Sequence, residues 1–213
     1  MRKTLIFIAL LLLSNQIKAQ SGEWRFLYGE KISSKWEQKP PYYLPAIDVS
    51  FAVNEIQSLN LGSSSIIYSQ SLNSIFDWSL GIHYNRKGFK EIGIVNDMGN
   101  EYPFSQKKVF NFVGILAGFR YNFLKKNTWK LGIETLVNPE MEVQGYGDLK
   151  KITLSSMNMF YVEKAINRHL AVVMNPFFET SLMDYNNKTL RGYDPVVYKP
   201  YGYGLMIGLR YSK

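Results

Sequence analysis

The sequence predicts an all-β fold, an eight-stranded antiparallel up-and-down transmembrane β-barrel. Three observations predict it: apolar and polar residues alternate in many segments, short connections recur after every second segment, and only the first residues form a continuous apolar run. Alternation with a period of two places apolar side chains on one face of a strand and polar ones on the other. A transmembrane barrel turns the apolar face to lipid and the polar face to its lumen.

Composition narrows the possible functions. The chain has 213 residues, no cysteine, two histidines and a formal net charge of +8. The absence of cysteine excludes disulfides, thiolate catalysis and cysteine-based metal sites. The basic residues are scattered rather than grouped, which argues against a nucleic-acid partner. We expect no catalytic residue, no metal site and no cofactor.

The chain divides into three parts. Residues 1–19 have a basic start, an apolar run and a polar end reaching Ala19, which indicates a secretory signal peptide cleaved before Gln20. Residues 20–45 are polar and mixed, and we expect an irregular N-terminal arm with at most a short strand near residues 24–28. Residues 46–213 carry the regular alternation and form the predicted barrel domain. This organisation predicts export to the outer membrane of a Gram-negative cell envelope.

Eight strands follow from the alternation. They are predicted at residues 46–54, 62–71, 76–85, 108–123, 129–138, 150–163, 169–182 and 201–211. The sixth is ambiguous, because two sets of residues compete for the apolar face: Met157, Met159 and Tyr161 on one side, and Leu154, Phe160 and Val162 on the other. Pro176 interrupts the seventh and predicts a bulge or a missing ladder bond.

The connections alternate in length. Short turns are predicted near residues 72–73, 125–127 and 165–167. Longer loops are predicted at residues 86–107, 139–149 and 183–199. All the short turns therefore lie at one end of the barrel, which is the asymmetry of outer-membrane barrels with short periplasmic turns and long extracellular loops.

Charged side chains fall on the polar faces of the strands. The predicted lumen network comprises Asp48, Asp77, His83, Arg120, Glu134, Glu179 and Arg210. An eight-stranded barrel is just wide enough for side chains to fill its interior, and buried charges must pair. We therefore expect Arg120 and Arg210 to neutralise the carboxylates and to form a polar plug, so that the barrel is not a general diffusion pore.

The last strand has the pattern by which barrel-assembly machinery recognises its clients. The predicted barrel-closing strand carries Gly204, Ile207, Leu209 and Tyr211, and the first three of these meet the insertion pattern polar-x-Gly-x-x-apolar-x-apolar. The chain ends on Tyr-Ser-Lys rather than on an aromatic residue, so the pattern is met internally.

Three stretches carry a family resemblance. Leu80-Gly-Ile-His-Tyr-Asn-Arg-Lys-Gly-Phe89 resembles the third strand of the small porin-family barrels labelled PorT-like. Residues 110–123 resemble their fourth strand and residues 204–211 their closing strand. The resemblance implies an eight-stranded outer-membrane barrel. It does not carry the protein-secretion role from which the family label derives.

Four functions remain open from the sequence. The first is a structural or binding barrel that contacts outer-membrane lipid and presents its three long loops to an envelope protein partner. The second is an accessory component of an envelope protein-secretion or motility machine. The third is a lipid A-modifying enzyme, which is disfavoured because His83 points into the lumen. The fourth is a soluble periplasmic β-barrel that binds an apolar ligand.

Overall fold

The computed structural model describes residues 22–34, 42–45, 49–144, 152–183 and 200–212. These residues form the strands β1 Glu23–Ser34, β2 Tyr42–Pro45, β3 Val49–Ser71, β4 Phe76–Asp97, β5 Asn100–Lys126, β6 Trp129–Gln144, β7 Ile152–Ala165, β8 Leu170–Ser181 and β9 Tyr201–Ser212. Within these ranges, no helix is long and apolar enough to cross a membrane.

Eight of the strands form a closed antiparallel ring. Each strand from β3 to β8 pairs with the next along the chain, and β1 pairs with both β9 and β3. The short β2 pairs only with the first part of β3 and lies outside the ring. The prediction of an eight-stranded antiparallel up-and-down barrel is confirmed.

The N-terminal part of the barrel differs from the prediction. Residues 23–34 are not part of an irregular arm, because β1 is a full strand paired along its whole length with β9. Its side chains alternate, with Trp24 and Phe26 exposed and Arg25 and Leu27 buried. The barrel domain therefore begins before residue 46.

The predicted first and second strands are one strand. Residues 46–54 and 62–71 were expected to be separate, but β3 runs without interruption from Val49 to Ser71. Its pairing with β4 shifts register twice, between Val53 and Glu55 and between Ser58 and Ser63. Each shift changes the phase of the alternation. The count of eight is correct because β1 replaces one of these two strands.

The connections at one end of the ring agree with the prediction. Short turns join β3 to β4, β5 to β6 and β7 to β8, leaving residues 72–75, 127–128 and 166–169 outside strands. We call this the turn end and the opposite end the loop end. Two of the turns have the same side-chain cap: the carboxamide oxygens of Asn73 and Asn167 accept backbone N–H donors two and three residues ahead.

The loop end is not built as expected. Residues 86–107 were predicted to be a loop, yet β4 and β5 continue through them as a paired hairpin that turns at Met98 and Gly99. Both turn residues have positive φ, 48° and 89°, which the two-residue turns of hairpins require. β6 likewise extends to Gln144 within the predicted loop 139–149. The rest of that loop and nearly all of loop 183–199 lie outside the described residues.

The paired residues beyond the barrel form a raised sheet, which we call the wall. It comprises β2, residues 49–58 of β3, residues 88–97 of β4 and residues 100–109 of β5. β6 pairs with β5 only from Asn111 onward. From Gly88 to Asp97 the wall extends about 30 Å along β4 at about 3.3 Å per residue.

Two details of the later strands are settled by the structure. In β7, Met157, Met159 and Tyr161 point inward and are fully buried, whereas Phe160 is exposed on the outside.

In β8, pairing with β7 is interrupted between Phe177 and Met174 without a change of register. Pro176 therefore removes ladder pairs but causes no bulge, since proline has no N–H to donate.

Candidate functional site: the filled lumen and the wall

The barrel is apolar outside and charged inside. Ile82 is 61% exposed and Phe119 62% exposed on the outer surface, whereas Arg25 and Arg120 are 0% exposed in the lumen. A barrel in water needs the reverse arrangement, because exposing apolar surface and burying charge are both costly. The outer surface therefore fits lipid.

The height of the apolar surface fits a membrane. On β4 the outward-facing positions are apolar from Phe76 to Tyr84, and polar residues begin at Arg86. The eight steps from Phe76 to Tyr84, at about 3.3 Å each, span about 26 Å along the strand. A tilt of about 40° reduces this height to about 20 Å, near the ~25 Å band of outer-membrane barrels. Trp129 and Tyr211 are exposed at the turn end, and Tyr84 and Tyr203 lie towards the loop end.

The lumen contains three layers of side chains. Along β1 the inward positions change from Arg25 to Leu27 to Lys31, and along β6 they change from Glu134 to Leu136 to Glu140. A charged layer therefore lies at the turn end, an apolar layer in the middle and a second charged layer towards the loop end.

The turn-end network balances its charges. Its members are the carboxylates Glu23, Asp77, Glu134 and Glu163 and the cations Arg25, Arg120, Lys130 and Arg210. Arg120 Nη2 lies 2.6 Å from Asp77 Oδ2 and also contacts Glu23, and Arg210 Nη2 lies 2.6 Å from Glu163 Oε1. Four carboxylates and four cations thus compensate one another within this layer.

The centre of this network is a two-pronged ion pair. Both terminal nitrogens of Arg25 donate to the two oxygens of Glu134, each at 2.5 Å. Two serine hydroxyl groups add hydrogen bonds to the pair: that of Ser69 accepts from Arg25 at 2.8 Å, and that of Ser79 donates to Glu134 at 2.5 Å. Bidentate geometry with additional hydrogen bonds is the condition under which a buried ion pair is tolerated.

Tyr161 lies between this network and the apolar layer. Its ring is 4.3 Å from the guanidinium carbon of Arg120 and 5.3 Å from that of Arg25, and its hydroxyl donates to Glu163. The guanidinium groups lie within the distance of a cation–π contact. Tyr161 thus offers an aromatic face to two cations and a hydroxyl to a carboxylate.

The apolar layer fills the middle of the lumen. Its buried members include Leu27, Ile67, Leu116, Leu136, Met157, Met159, Val173, Phe177 and Met206. Methionines adapt to irregular gaps, so they suit a narrow interior lined by eight strands. This layer separates the two charged layers.

The loop-end network is smaller and also balanced. Glu179 accepts from Lys31 at 2.7 Å, from Lys87 at 2.8 Å and from the amide of Asn85 at 2.7 Å. Lys87 also pairs with Glu140. Two lysines and two carboxylates therefore close the lumen a second time.

The structure separates the predicted lumen residues into these two networks. Asp77, Arg120, Glu134 and Arg210 belong to the turn-end network. Glu179 belongs to the loop-end network, and His83 lies one inward position before Asn85 on β4. Asp48 lies outside the described residues.

The predicted pairing of charges differs in part from the observed one. Arg120 does neutralise Asp77, but Arg210 pairs with Glu163, which the prediction did not include. The partners of Glu134 and Glu179, Arg25 and Lys31, both come from β1. The alternation of β1 was the signal that would have identified them.

His83 lies on the inner face of β4, within hydrogen-bond distance of Ser65. Its Nδ1 lies 2.7 Å from Ser65 Oγ, and both side chains are buried. A serine–histidine pair acts as a nucleophile when a third group orients the ring and a substrate can reach the serine. In the described part of the chain, Nε2 has no hydrogen-bond partner. Nor do any three His, Asp or Glu side chains there come together as a metal site requires.

The closing strand has its apolar face outward. Ile207, Leu209 and Tyr211 are about half exposed on the outer surface of β9. Gly204 and Gly208 point inward at the seam with β1, where a Cβ atom would lie 2.2 Å from the carbonyl oxygen of Glu30 and 1.9 Å from that of Phe26. These glycines let the two strands approach at the place where the ring closes.

Comparison with known proteins shows similarity of fold. No protein-family model matches the chain, and no curated protein matches it significantly. One similar solved structure is the outer membrane protein OprG from Pseudomonas aeruginosa, with 10% identity over 91% of this chain and 96% of that chain and a TM-score of 0.51.

Two further solved structures are less similar. Ail, the attachment invasion locus protein of Yersinia pestis, has 12% identity, coverage of 89% of this chain and 99% of that chain, and a TM-score of 0.41. The outer membrane protease OmpT from Escherichia coli has 10% identity, coverage of 91% and 97%, and a TM-score of 0.40. The similarity to OprG shows that this chain has an outer-membrane β-barrel fold.

Proposed function

We propose that the protein spans the outer membrane as a closed barrel and presents the wall to a partner in the cell envelope. The support for membrane insertion is the apolar outer surface together with the fold. The support for a binding function is the combination of a lumen filled by three layers and a large paired structure outside the apolar band.

The wall is the observation that carries this proposal. A membrane-spanning strand needs about 9–11 residues. β1, β8 and β9 have 12 residues each, close to that requirement, whereas β3, β4 and β5 have 23, 22 and 27. The surplus residues do not contribute to spanning, yet they form ordered pairs. A rigid scaffold that holds exposed positions outside a membrane is suited to binding.

The proposed function is not catalytic. The Ser65–His83 pair is buried, so neither an extracellular substrate nor a lipid reaches it. Each carboxylate of the two networks is held by at least one cation within 4 Å. Such groups stabilise the interior rather than exchange protons with a substrate.

We further infer that the chain is a small porin-family barrel of the PorT-like kind that barrel-assembly machinery inserts after export. The support is the resemblance of three segments that form parts of β4, β5 and β9. Residues 1–19 lie outside the described residues, and their removal as a signal peptide is part of the proposal. Intact-mass analysis of protein from outer membranes should give a chain beginning at Gln20, and a mass that includes residues 1–19 would contradict cleavage.

Fractionation and crosslinking test the main proposal. We expect the protein in the outer-membrane fraction and expect it to migrate faster on gels unheated than boiled. A photo-crosslinking residue at Met98, which is 87% exposed at the tip of the wall, should give a discrete adduct in intact cells. The matched control is Leu80, whose outward position within the apolar band should give no protein adduct.

The two parts of the proposal can fail separately. A soluble periplasmic species without the gel shift would contradict the membrane barrel. A membrane barrel that gives no adduct from Met98 or from Tyr102, a second exposed wall position, would contradict the binding role.

A further inference from the structure

A carboxamide interrupts the lipid-facing side of β7. Asn158 points outward and is exposed. The other outward residues of this strand are Phe160 and Val162 towards the turn end and Ser156, Leu154 and Ile152 towards the loop end. Apolar surface therefore lies beyond Asn158 in both directions along the strand.

The depth of Asn158 places it within the hydrocarbon. Lys164, at the turn end of the same outer face, is six residues away. Six residues at about 3.3 Å span about 20 Å along the strand, which a tilt of about 40° reduces to about 15 Å. The apolar band of outer-membrane barrels is ~25 Å tall. Asn158 thus lies near the middle of the band, where no water competes for hydrogen bonds.

The carboxamide of Asn158 is only partly satisfied within the barrel. Thr135, its direct cross-strand partner on β6, donates its hydroxyl to Asn158 Oδ1 at 2.9 Å. A carboxamide also has two N–H donors and a second lone pair on its oxygen. In the part of the chain that the structure describes, the Asn158 amide nitrogen has no hydrogen-bond partner. An unpaired amide in hydrocarbon is costly, and a polar residue at this depth indicates a site of function.

The outer surface around Asn158 is made of small, uncharged side chains. Ser156 on β7 and Thr180 on β8 are cross-strand partners next to it. We call these two residues, together with Thr135 and Asn158, the membrane patch. Larger side chains border the patch, namely Phe119, Phe160 and Phe178.

Small and polar residues in lipid indicate a contact surface. Between transmembrane helices, such residues let two segments approach closely and form hydrogen bonds with each other. The physical reason is that lipid tails offer no hydrogen bonds. This reason applies equally to the outer surface of a barrel, so the membrane patch is suited to contact another membrane protein.

The chemistry of the membrane patch favours a second copy of this chain as that protein. A carboxamide has both donors and an acceptor, so two Asn158 side chains that meet across a two-fold axis can donate to each other. The partner must also present its polar group near the middle of the membrane. A second copy meets this condition, because its own apolar band holds its Asn158 at the same depth. The patch carries no charge, so two copies meet without repulsion.

We propose that two copies of the protein associate in the outer membrane through the membrane patch, with Asn158 of each copy donating to the carboxamide oxygen of the other. A two-fold axis along the membrane normal keeps both copies at one depth and closes the assembly. This inference goes beyond the binding role of the wall, which rises from β3, β4 and β5 rather than from β7 and β8. It rests on the proposed membrane insertion, since the patch needs a partner only in lipid.

The first test measures association of the full-length protein in phosphatidylcholine vesicles. Two pools with different fluorescent labels are refolded together, and energy transfer between the labels is followed as the protein is diluted with lipid. The wild type should show transfer that falls on dilution. Asn158→Leu exchanges the carboxamide for an apolar side chain of similar size and should weaken association by about tenfold, because two hydrogen bonds in hydrocarbon are lost. This variant should keep heat-modifiable migration, since leucine suits lipid.

Thr135→Val is the matched control. It removes the hydrogen bond between β6 and β7 but keeps the carboxamide of Asn158, so it should leave the association almost unchanged. An equal loss in Thr135→Val would assign the effect to the bond within the barrel and would overturn the proposal. A wild type that inserts but shows no transfer at any dilution would overturn it as well, as would an Asn158→Leu variant that associates as the wild type does.

Photo-crosslinking in intact cells identifies the partner. A photoreactive phenylalanine analogue at Phe160, beside the membrane patch, should give an adduct of twice the mass of the chain. The control position is Phe26, exposed on the outer face of β1 and three strands away from β7, which should give none. A Phe160 adduct with a different protein, or equal double-mass adducts from both positions, would overturn the assignment of a second copy. If the wild type does not enter the membrane at all, the proposed membrane function itself has failed.

Discussion

The Arg25–Glu134 pair shows how single residues hold this barrel together. Desolvating two charges is costly, and bidentate contact with two serine hydroxyls offsets that cost. Removing one partner leaves the other charge buried and uncompensated. We expect Glu134→Ala to lower the free energy of unfolding by about 3–5 kcal/mol, measured by urea unfolding in lipid vesicles.

The matched control for this prediction removes both charges. Arg25→Met with Glu134→Leu replaces the pair by apolar side chains of similar length, which is often neutral when packing is kept. This double variant should be more stable than Glu134→Ala alone. A double variant that is less stable than the single one would contradict this explanation. It would show that the cost of Glu134→Ala does not come from the uncompensated charge of Arg25.

Gly208 is a second residue whose role follows from local geometry. A Cβ atom there would lie 1.9 Å from the carbonyl oxygen of Phe26 and 2.9 Å from the Cα of Leu27. Both obstacles are backbone atoms, so the seam between β1 and β9 must open. Gly208→Ala should reduce the yield of the heat-modifiable form on gels, whereas Leu209→Ala, on the lipid face of the same strand, should not.

The sequence predicts which charged residues face the lumen but not which of them pair. Asp77, Arg120 and Glu134 all lie on the polar phase of their strands, and all are buried. Their partners depend on which side chains meet across the lumen. Arg25 and Glu134, for example, are 109 positions apart in the chain. No spacing rule within one strand contains that information.

At the level of elements, β1 is the strand that the sequence prediction missed. Its outward positions are aromatic up to Tyr28, but Glu30 then interrupts the apolar phase. In β3 the two register shifts break the alternation, so one strand was predicted as two. Alternation reveals a strand only where the lipid face is apolar throughout and the register is continuous.

Deleting β1 tests its assignment as a ring strand. Removal of residues 23–34 takes away the partner of both β3 and β9 and leaves two edges that would be unsatisfied in lipid. We expect this variant to lack the heat-modifiable band and to be degraded. An arm outside the ring could be removed without this effect, so a folded deletion variant would contradict the strand assignment.

The hairpin of the wall should be separable from the barrel. Residues 92–105, the end of β4 and the start of β5, lie beyond the apolar band. They pair with each other and with the first part of β3. Replacing them with a two-residue Asn-Gly turn should preserve heat-modifiable migration and outer-membrane location. The Met98 crosslink site is lost in this variant, so a crosslinking residue at Lys90, a wall position that the variant keeps, should report whether the partner still binds. We expect an adduct from this position in the wild-type background and none in the variant.

For the molecule as a whole, the layered lumen predicts electrical behaviour. Two charge-balanced networks and an apolar layer fill the lumen with side chains. We expect no large, stable conductance steps in planar bilayers. Steps of the size seen with open porins would contradict a closed lumen. Glu134→Ala should raise the frequency of brief openings, because it removes one member of the network that closes the turn end of the lumen.

The whole-molecule fold was the part most accessible from sequence. The lipid-facing alternation of β4 to β9 and the position of the short turns follow from local patterns that each strand carries by itself. The wall was not accessible in this way, because on β4 its outward positions combine Lys90 with Ile92 and its inward positions combine Phe89 with Glu91. Neither face keeps the strict apolar phase of the lipid-facing part of the strand.

The pairing of β1 with β9 also sets the order of events in assembly. Each strand from β3 to β9 has a partner next to it in the chain, but β1 completes its pairing only with a strand almost 180 residues later. Until then its outward aromatic side chains and one edge stay uncovered, apart from its contact with β3. Ring closure is therefore a late step, and a nascent chain halted before β9 would remain an open sheet that depends on other proteins for protection.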